Sequence, residues 1–238
     1  MRILIHILLV ILSVTVNAQT NTIEILNADN TYANNNIHPN YWRLIGNVSF
    51  KHNNAIMHCD SAYHYINENK MQAYGNIRIK QGDSITLKGD NLIYLAYKNS
   101  VNIKGDVELI DKYMMLKTHQ IFYNLNSKVA SYPFTGTIID NNKIITSKKG
   151  SYYSRKYNFI FTDSVTVSGD NYKILTDNMH YQSDTKITYF IGPSYIISEN
   201  KLIYCENGWY NTKTDISQLK ENTYIQTESY KLKSDSIY

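Results

Sequence analysis

Apolar and polar residues alternate along short segments of the chain, and this alternation is its main feature. Val48 and Phe50 fall on one side of an extended segment, and Asn47 and Ser49 fall on the other. A two-residue period is typical of a β-strand with one buried face. Beyond the first 18 residues, no segment shows a convincing helical period. The same alternation recurs at Ile77 and Ile79, Val107 and Leu109, and Val165 and Val167.

The strand pattern repeats about every 29 residues. Within a unit, an acidic or polar residue is followed four positions later by tyrosine, as in Asp90 with Tyr94 and Asp177 with Tyr181. One unit has too few strands to bury its own apolar face, so the units must stack on one another. The units begin at Gly46, Gly75, Gly105, Gly136, Asp163, Gly192 and Glu221.

These patterns predict an all-β protein. The expected fold is an elongated two-sheet antiparallel jelly roll, an open V-shaped stack of strands built from repeats of about 29 residues, with a chain bend at Gly-Asp pairs. Asp140 stands where the alternation calls for an inward apolar residue. Cys59 and Cys205 occupy the same place in two units, 13 residues after Gly46 and Gly192. Stacked units would hold them at least about 24 Å apart, too far for a disulfide.

The N-terminus predicts export. Arg2 precedes an apolar run that is short for a membrane span, and Ala18 offers a cleavage position, so residues 1–18 are predicted to be a secretory signal peptide. Residues 19–238 then form a single repeat domain. The last unit stops at Tyr238 in mid-repeat, which indicates either a shortened protein or the front part of a longer one.

Composition and charge exclude several classes of function. The net charge of +4 falls to +3 once Arg2 is removed, and the basic residues form no stripe, so nucleic-acid binding is not expected. His58, Cys59, Asp60 and His64 cannot converge on a metal, because adjacent strand residues point to opposite faces. No phosphate loop, nucleophile elbow or zinc-protease motif is present. The sequence predicts no cofactor and no enzymatic activity.

Four segments carry a family resemblance: "NAD" at 27–29, the "GNVSF" type of opening, "CDSAYHY" at 59–65 and "GDNLIY" at 89–94. Because these segments occur in this order, the chain resembles the OstA/LptA-type (organic solvent tolerance-like) family. The resemblance implies V-shaped jelly rolls that carry lipopolysaccharide across the periplasm of Gram-negative bacteria, with acyl chains in an apolar groove. The groove positions carried over are Val48, Phe50, Ile77, Ile79, Val107, Leu109, Val165 and Val167.

The function expected from the resemblance is a periplasmic lipopolysaccharide-binding transport or bridge protein for outer-membrane assembly. Its expected partners are lipopolysaccharide and the related jelly-roll domains of inner- and outer-membrane transport proteins. Unpaired edge strands also favour docking or head-to-tail self-association, near Ile25 and Ile237. Two alternatives stay open: a secreted repeat protein that binds glycans or surfaces through its 22 tyrosines, and a purely structural periplasmic scaffold.

Overall fold

The fold is described from a computed structural model, which covers residues 22–33, 41–82, 85–214 and 216–238. The predicted signal peptide, residues 1–18, lies outside these ranges. Within them, no helix combines the length and apolar character that a bilayer-spanning helix requires. Two short 3₁₀ turns, Ala96–Lys98 and Ser154–Lys156, are the helical segments found there.

The described residues form antiparallel strands almost throughout. The strands are β1 (Glu24–Asn27), β2 (Asn30–Ala33), β3 (Tyr41–His52), β4 (Ala55–Tyr65), β5 (Lys70–Gln81), β6 (Ile85–Leu95), β7 (Ser100–Ile110), β8 (Met115–Asn124), β9 (Val129–Tyr132), β10 (Gly136–Asp140), β11 (Lys143–Ser147), β12 (Lys149–Tyr153), β13 (Asn158–Ser168), β14 (Tyr172–Gln182), β15 (Ile187–Ser198), β16 (Lys201–Asn211), β17 (Ile216–Thr227) and β18 (Lys231–Ile237).

The spatial order of the strands follows the chain. Each long strand pairs with the strand before it and the strand after it. Three positions in the sheet are filled by two short strands in place of one long strand: β1 with β2, β9 with β10, and β11 with β12. The result is a simple meander with β1 and β2 at one edge and β18 at the other.

Nearly every long strand is interrupted by a bulge near its middle. In β5 the bulge consists of Gly75 at φ 74° and Asn76 at φ 46°, two residues placed against one on β6. An extra residue of this kind bends a strand sharply. Asp163 and Glu221, which replace the opening glycine of their units, adopt the same left-handed conformation at φ 68° and 64°. The bulges align across the strands and fold the sheet along one line.

Folding along this line gives two layers that face each other. The first layer contains Tyr41–Ile45 and its neighbours in register, and the second contains Val48–His52 and its neighbours. Side chains that point between the layers are buried in both, while their sequence neighbours point outward. The predicted fold class, an elongated antiparallel β jelly roll, is confirmed. The alternation read from the sequence therefore marks the interior between the layers.

Candidate functional site

A row of apolar residues runs through the second layer, with one residue on each strand. Its members are directly opposite one another in the strand register, and the row reaches from the first edge of the sheet to the last. They are Ile25, Phe50, Met57, Ile79, Leu87, Leu109, Leu116, Ile138, Ile145, Val167, Ile174, Ile196, Ile203, Ile225 and Leu232. We call this set the apolar row.

All eight predicted groove residues lie in the second layer and face the interior. Phe50, Ile79, Leu109 and Val167 belong to the apolar row itself. The other four lie two positions nearer the bulges. Every one of the eight is at most 2% exposed, so the interior is filled by side chains at these places. The four residues that lie two positions nearer the bulges are Val48, Ile77, Val107 and Val165.

Burial along the apolar row changes from one end of the molecule to the other. Ten consecutive members from Phe50 to Ile174 are at most 1% exposed. From β15 onward, Ile196 and Ile203 are only partly buried, and Leu232 is 47% exposed. The interior is therefore closed over β3–β14 and accessible over β15–β18.

A set of buried tyrosines joins the two layers at the side opposite the bulges. Tyr123 donates a hydrogen bond to Gln81 Oε1 over 2.8 Å, linking the end of β8 in the first layer to the end of β5 in the second. Each tyrosine bonds a polar residue 41 or 42 positions earlier in the chain. We call these bonds the tyrosine seam. Its pairs are Tyr94 with His52, Tyr123 with Gln81, Tyr152 with Asp111, and Tyr181 with Asp140.

The seam tyrosines are buried as uncharged phenols. Each is at most 1% exposed, and burial raises the pKa of Tyr123 to about 12. Burial likewise raises the pKa of Asp111, although backbone amides of Tyr113 and Met114 donate hydrogen bonds to it. Sequence reasoning found the recurring tyrosine but not its partner. The partners recur at 29- or 30-residue intervals at strand ends, which is the signal that could have revealed them.

Polar side chains at the turns add further bridges between the layers. Asn53 Nδ2 donates to Asn99 Oδ1 over 2.8 Å, and Gln81 Nε2 donates to the carbonyl of Leu125 over 2.9 Å. Each bond joins a strand end or turn of the second layer to a turn of the first. Together with the tyrosine seam, these contacts close the side of the molecule opposite the bulges.

A cleft of about 480 Å³ opens where the tyrosine seam ends. Its least exposed charged residues are Asp140, Lys143 and Lys186. Lys186 Nζ contacts Asp140 Oδ1 at 2.6 Å and Oδ2 at 2.7 Å, and Tyr181 donates to the same carboxylate. The inward position of Asp140, anomalous in the sequence pattern, is thus occupied by a buried ion pair. The wall and rim are completed by Asn141, Asn142, Gly169, Asp170, Tyr172, Asp184, Tyr210, Thr212 and Lys213.

Lys143 is the second cation of this cleft, and among the described residues it forms no ion pair with a carboxylate. It is only 9% exposed, and the one hydrogen bond that its Nζ donates within this part of the chain goes to Thr212 Oγ1 at 3.3 Å. The amine also lies 4.6 Å from the centre of the Tyr181 ring. Burial lowers the pKa of Lys143 to about 8, because desolvation outweighs the attraction of Asp140, and Lys186 adds to the lowering.

The two predicted edge residues lie on the outermost strands. Ile25 is on β1, where it is partly buried opposite Phe50, and Ile237 is on β18, opposite Leu219. Six of the seven residues of β18 are exposed. Among the described residues, β17 is the sole strand that pairs with β18.

The two cysteines occupy equivalent places, as the repeat alignment predicts. Cys59 pairs with Val48, and Cys205 pairs with Ser194, each just beyond the bulge. Both are free and buried, and burial raises the pKa of each thiol to about 12. They therefore contribute small apolar side chains to the interior rather than reactive thiolates.

Comparison with known proteins gives one family. The sequence profile described as OstA-like protein matches residues 20–177 and residues 169–235. The two matches together cover β1–β17 and most of β18. No curated protein matches the chain.

Proposed function

Because the chain belongs to the OstA-like protein family, we propose that it is a periplasmic lipopolysaccharide-binding transport or bridge protein that serves outer-membrane assembly. The apolar row is the observation that supports this proposal most strongly. It forms an unbroken line of apolar side chains across every strand position of the second layer. Residues 1–18 direct export in this proposal, and the domain of residues 19–238 acts in the periplasm of a Gram-negative bacterium.

Acyl chains are held between the two layers, along the apolar row. Burial of apolar surface stabilises such a complex by roughly 25 cal/mol per Å². In the closed part of the molecule, the acyl chains replace side-chain contacts between the two layers. The groove positions Ile79 and Val107 are among those that would contact them. The role is one of binding and transfer, without a chemical step.

Photo-crosslinking in living cells tests the proposal. A photoreactive amino acid at Ile79 or Val107 is expected to form adducts with lipopolysaccharide, because both side chains face the interior. The matched control is Arg78, the outward neighbour of Ile79, which is expected to give none. Adducts with protein alone, or adducts at Arg78 and Ile79 alike, would reject lipid transport through the interior.

A second candidate, glycan binding, is favoured by aromatic residues on the outer face. Tyr195, Tyr204 and Tyr224 lie on three adjacent strands, with ring centres 5.1 and 5.4 Å apart, and Tyr195 is 41% exposed. Exposed aromatic faces suit sugar rings. Replacing Tyr195 and Tyr224 by alanine would abolish surface or glycan binding under this candidate. The same change leaves lipid adducts at Ile79 intact under the leading proposal.

A further inference from the structure

The interior becomes accessible at the place where the tyrosine seam ends. The tyrosine next in the series, Tyr210, is partly buried and lines the cleft beside Asp140 and Lys143. Tyr172, also in the cleft wall, belongs with Ile196 to the partly buried set that packs against the core. The cleft is therefore next to the open end of the apolar interior. A molecule with a polar head in the cleft could place its apolar chain between the layers.

The cleft contains a buried cation, Lys143, that forms no ion pair with a carboxylate among the described residues. Asp140 is already engaged, because both of its oxygens contact Lys186 and it also accepts a hydrogen bond from the Tyr181 hydroxyl. An ammonium group has three N–H donors, and Lys143 uses one of them, on Thr212, among the described residues. Burying a charge without a partner is costly, so an anion that reaches Lys143 gains a strong, charge-assisted hydrogen bond.

The rim carries two carboxylates and one amine, so the whole lining holds three charged groups of each sign, and the preference for an anion is local to Lys143. Asp170 accepts a hydrogen bond from Asn142 Nδ2 over 3.2 Å, and Asp184 accepts one from the backbone amide of Thr185 over 2.9 Å. Lys213 adds a cation at the rim. The tyrosine rings of the wall supply aromatic surface of the kind that packs against sugar rings. The volume also exceeds what a small ion needs and lies in the range of sites for organic molecules.

We propose that this cleft binds a phosphate monoester on the head group of an amphiphile, with Lys143 as the main ligand, while the acyl chain enters the interior beyond the tyrosine seam. The inference rests on the proposed function, since it assumes an amphiphilic cargo. To the proposed function it adds that the head group of the amphiphile lies in the cleft and that this head group is negatively charged.

Equilibrium binding to the purified domain of residues 19–238 tests the inference. Dioctanoyl phosphatidic acid carries a phosphate monoester, and dioctanoylglycerol has the same chains without it. Lys143→Met is expected to weaken binding of the first by about tenfold or more and to leave binding of the second unchanged. Lys148→Met is the control, because Lys148 is exposed and paired with Asp163 away from the cleft. Lys143→Arg, which retains the cation, is expected to preserve most of the affinity.

The outcomes separate the inference from the proposed function. Equal affinities for both lipids, unchanged in Lys143→Met, would overturn the inference and leave interior lipid binding intact. Failure of the wild type to bind either lipid would overturn both. Inorganic phosphate that binds as tightly as phosphatidic acid would make this a site for free phosphate and would also overturn the inference. Circular dichroism of Lys143→Met confirms its fold, and if that variant is unfolded, Lys143→Gln is used and judged by the same outcomes.

Discussion

At the bulges, the opening glycine of a repeat lies against an acidic side chain from the preceding strand. A Cβ atom placed on Gly75 would collide with the carboxylate of Asp60, and the same holds for Gly105 against Asp90. The Asp60 carboxylate accepts a hydrogen bond from Asn76 Nδ2 over 2.8 Å. The recurring glycine and the recurring acid of the sequence are thus two halves of one contact at the fold line.

Gly75→Ala is predicted to destabilise the protein more than Gly192→Ala. Both glycines open a repeat, with φ of 74° and 89°, so each alanine carries the cost of a left-handed conformation, about 1–2 kcal/mol. Gly192 has nothing within 4 Å of an added Cβ, whereas Gly75 faces Asp60. We therefore expect a further loss of about 1–3 kcal/mol for Gly75→Ala, measured by urea unfolding. Equal losses for the two variants would show that the carboxylate moves aside freely.

The sequence predicted the inward faces and a chain bend at Gly-Asp pairs, because both depend on residues close together in the chain. Gly-Asn openings and two-residue alternation are local signals. The partners of Tyr181 and Lys143 are not local: Asp140 lies 41 residues before Tyr181, and Thr212 lies 69 residues after Lys143. Identifying them requires the register between layers, which one sequence does not supply. The cleft was missed for this reason.

Among the elements, the edge strands β1, β2 and β18 differ from all the others. Each leaves one side of its backbone without a neighbouring strand among the described residues. Exposed strand edges promote pairing with another chain unless something blocks them. In β18, Lys231 and Lys233 supply charges of the kind that discourage indiscriminate pairing. These edges fit selective docking of a related strand better than open-ended aggregation.

Crosslinkers at Ile25 and Ile237 are predicted to capture a second β-domain. The partner is either another copy of this protein or a related jelly-roll domain, because either can add a strand to the exposed edge. Mass spectrometry of the crosslinked species identifies it, and Ile103, buried in β7 far from both edges, is the control position. A protein that stays monomeric at high concentration and forms no crosslink at either edge would exclude docking by strand addition.

The strands β9–β12 show how a unit departs from the common pattern. Here the fold line has no glycine–carboxylate contact. The ring of Tyr132 instead lies against Gly136 and Gly150, and its hydroxyl bonds Ser147 Oγ over 2.6 Å. The sequence signalled the departure, since the next unit opens with Asp163 after only 27 residues. The aromatic replacement itself depends on packing between strands and could not be inferred from alternation.

At the scale of the whole molecule, the interior is closed at one end and accessible at the other. The tyrosine seam and the turn contacts hold the layers together over β3–β14. Over β15–β18 the inward side chains are smaller or partly exposed, as with Ser194 and Ile203. Regions with fewer buried apolar contacts open more readily than a dense core. The molecule should therefore have a rigid part and a more adaptable part within one continuous sheet.

Amide hydrogen exchange is predicted to follow this division. Peptides from β5–β8 are expected to exchange at least about tenfold more slowly than peptides from β16–β18, because their backbone bonds enclose the densest core. Mass spectrometry resolves the two regions in the free protein. Bound amphiphile should slow exchange in β15–β17 most. Uniform exchange across all strands would show that the closed and accessible parts have the same stability.

Because the strands form a meander, the number of repeat units can change without a change of topology. Each long strand pairs in the sheet with its neighbours in the chain, so one whole unit can be inserted or removed without rerouting any connection. A unit contributes two strand positions, so the apolar row would lengthen or shorten by about 10 Å for each unit changed. Across its present extent the row measures roughly 65–70 Å at a strand spacing of about 4.8 Å. Duplication of the gene segment that encodes one unit would therefore change the length of the apolar row in fixed steps.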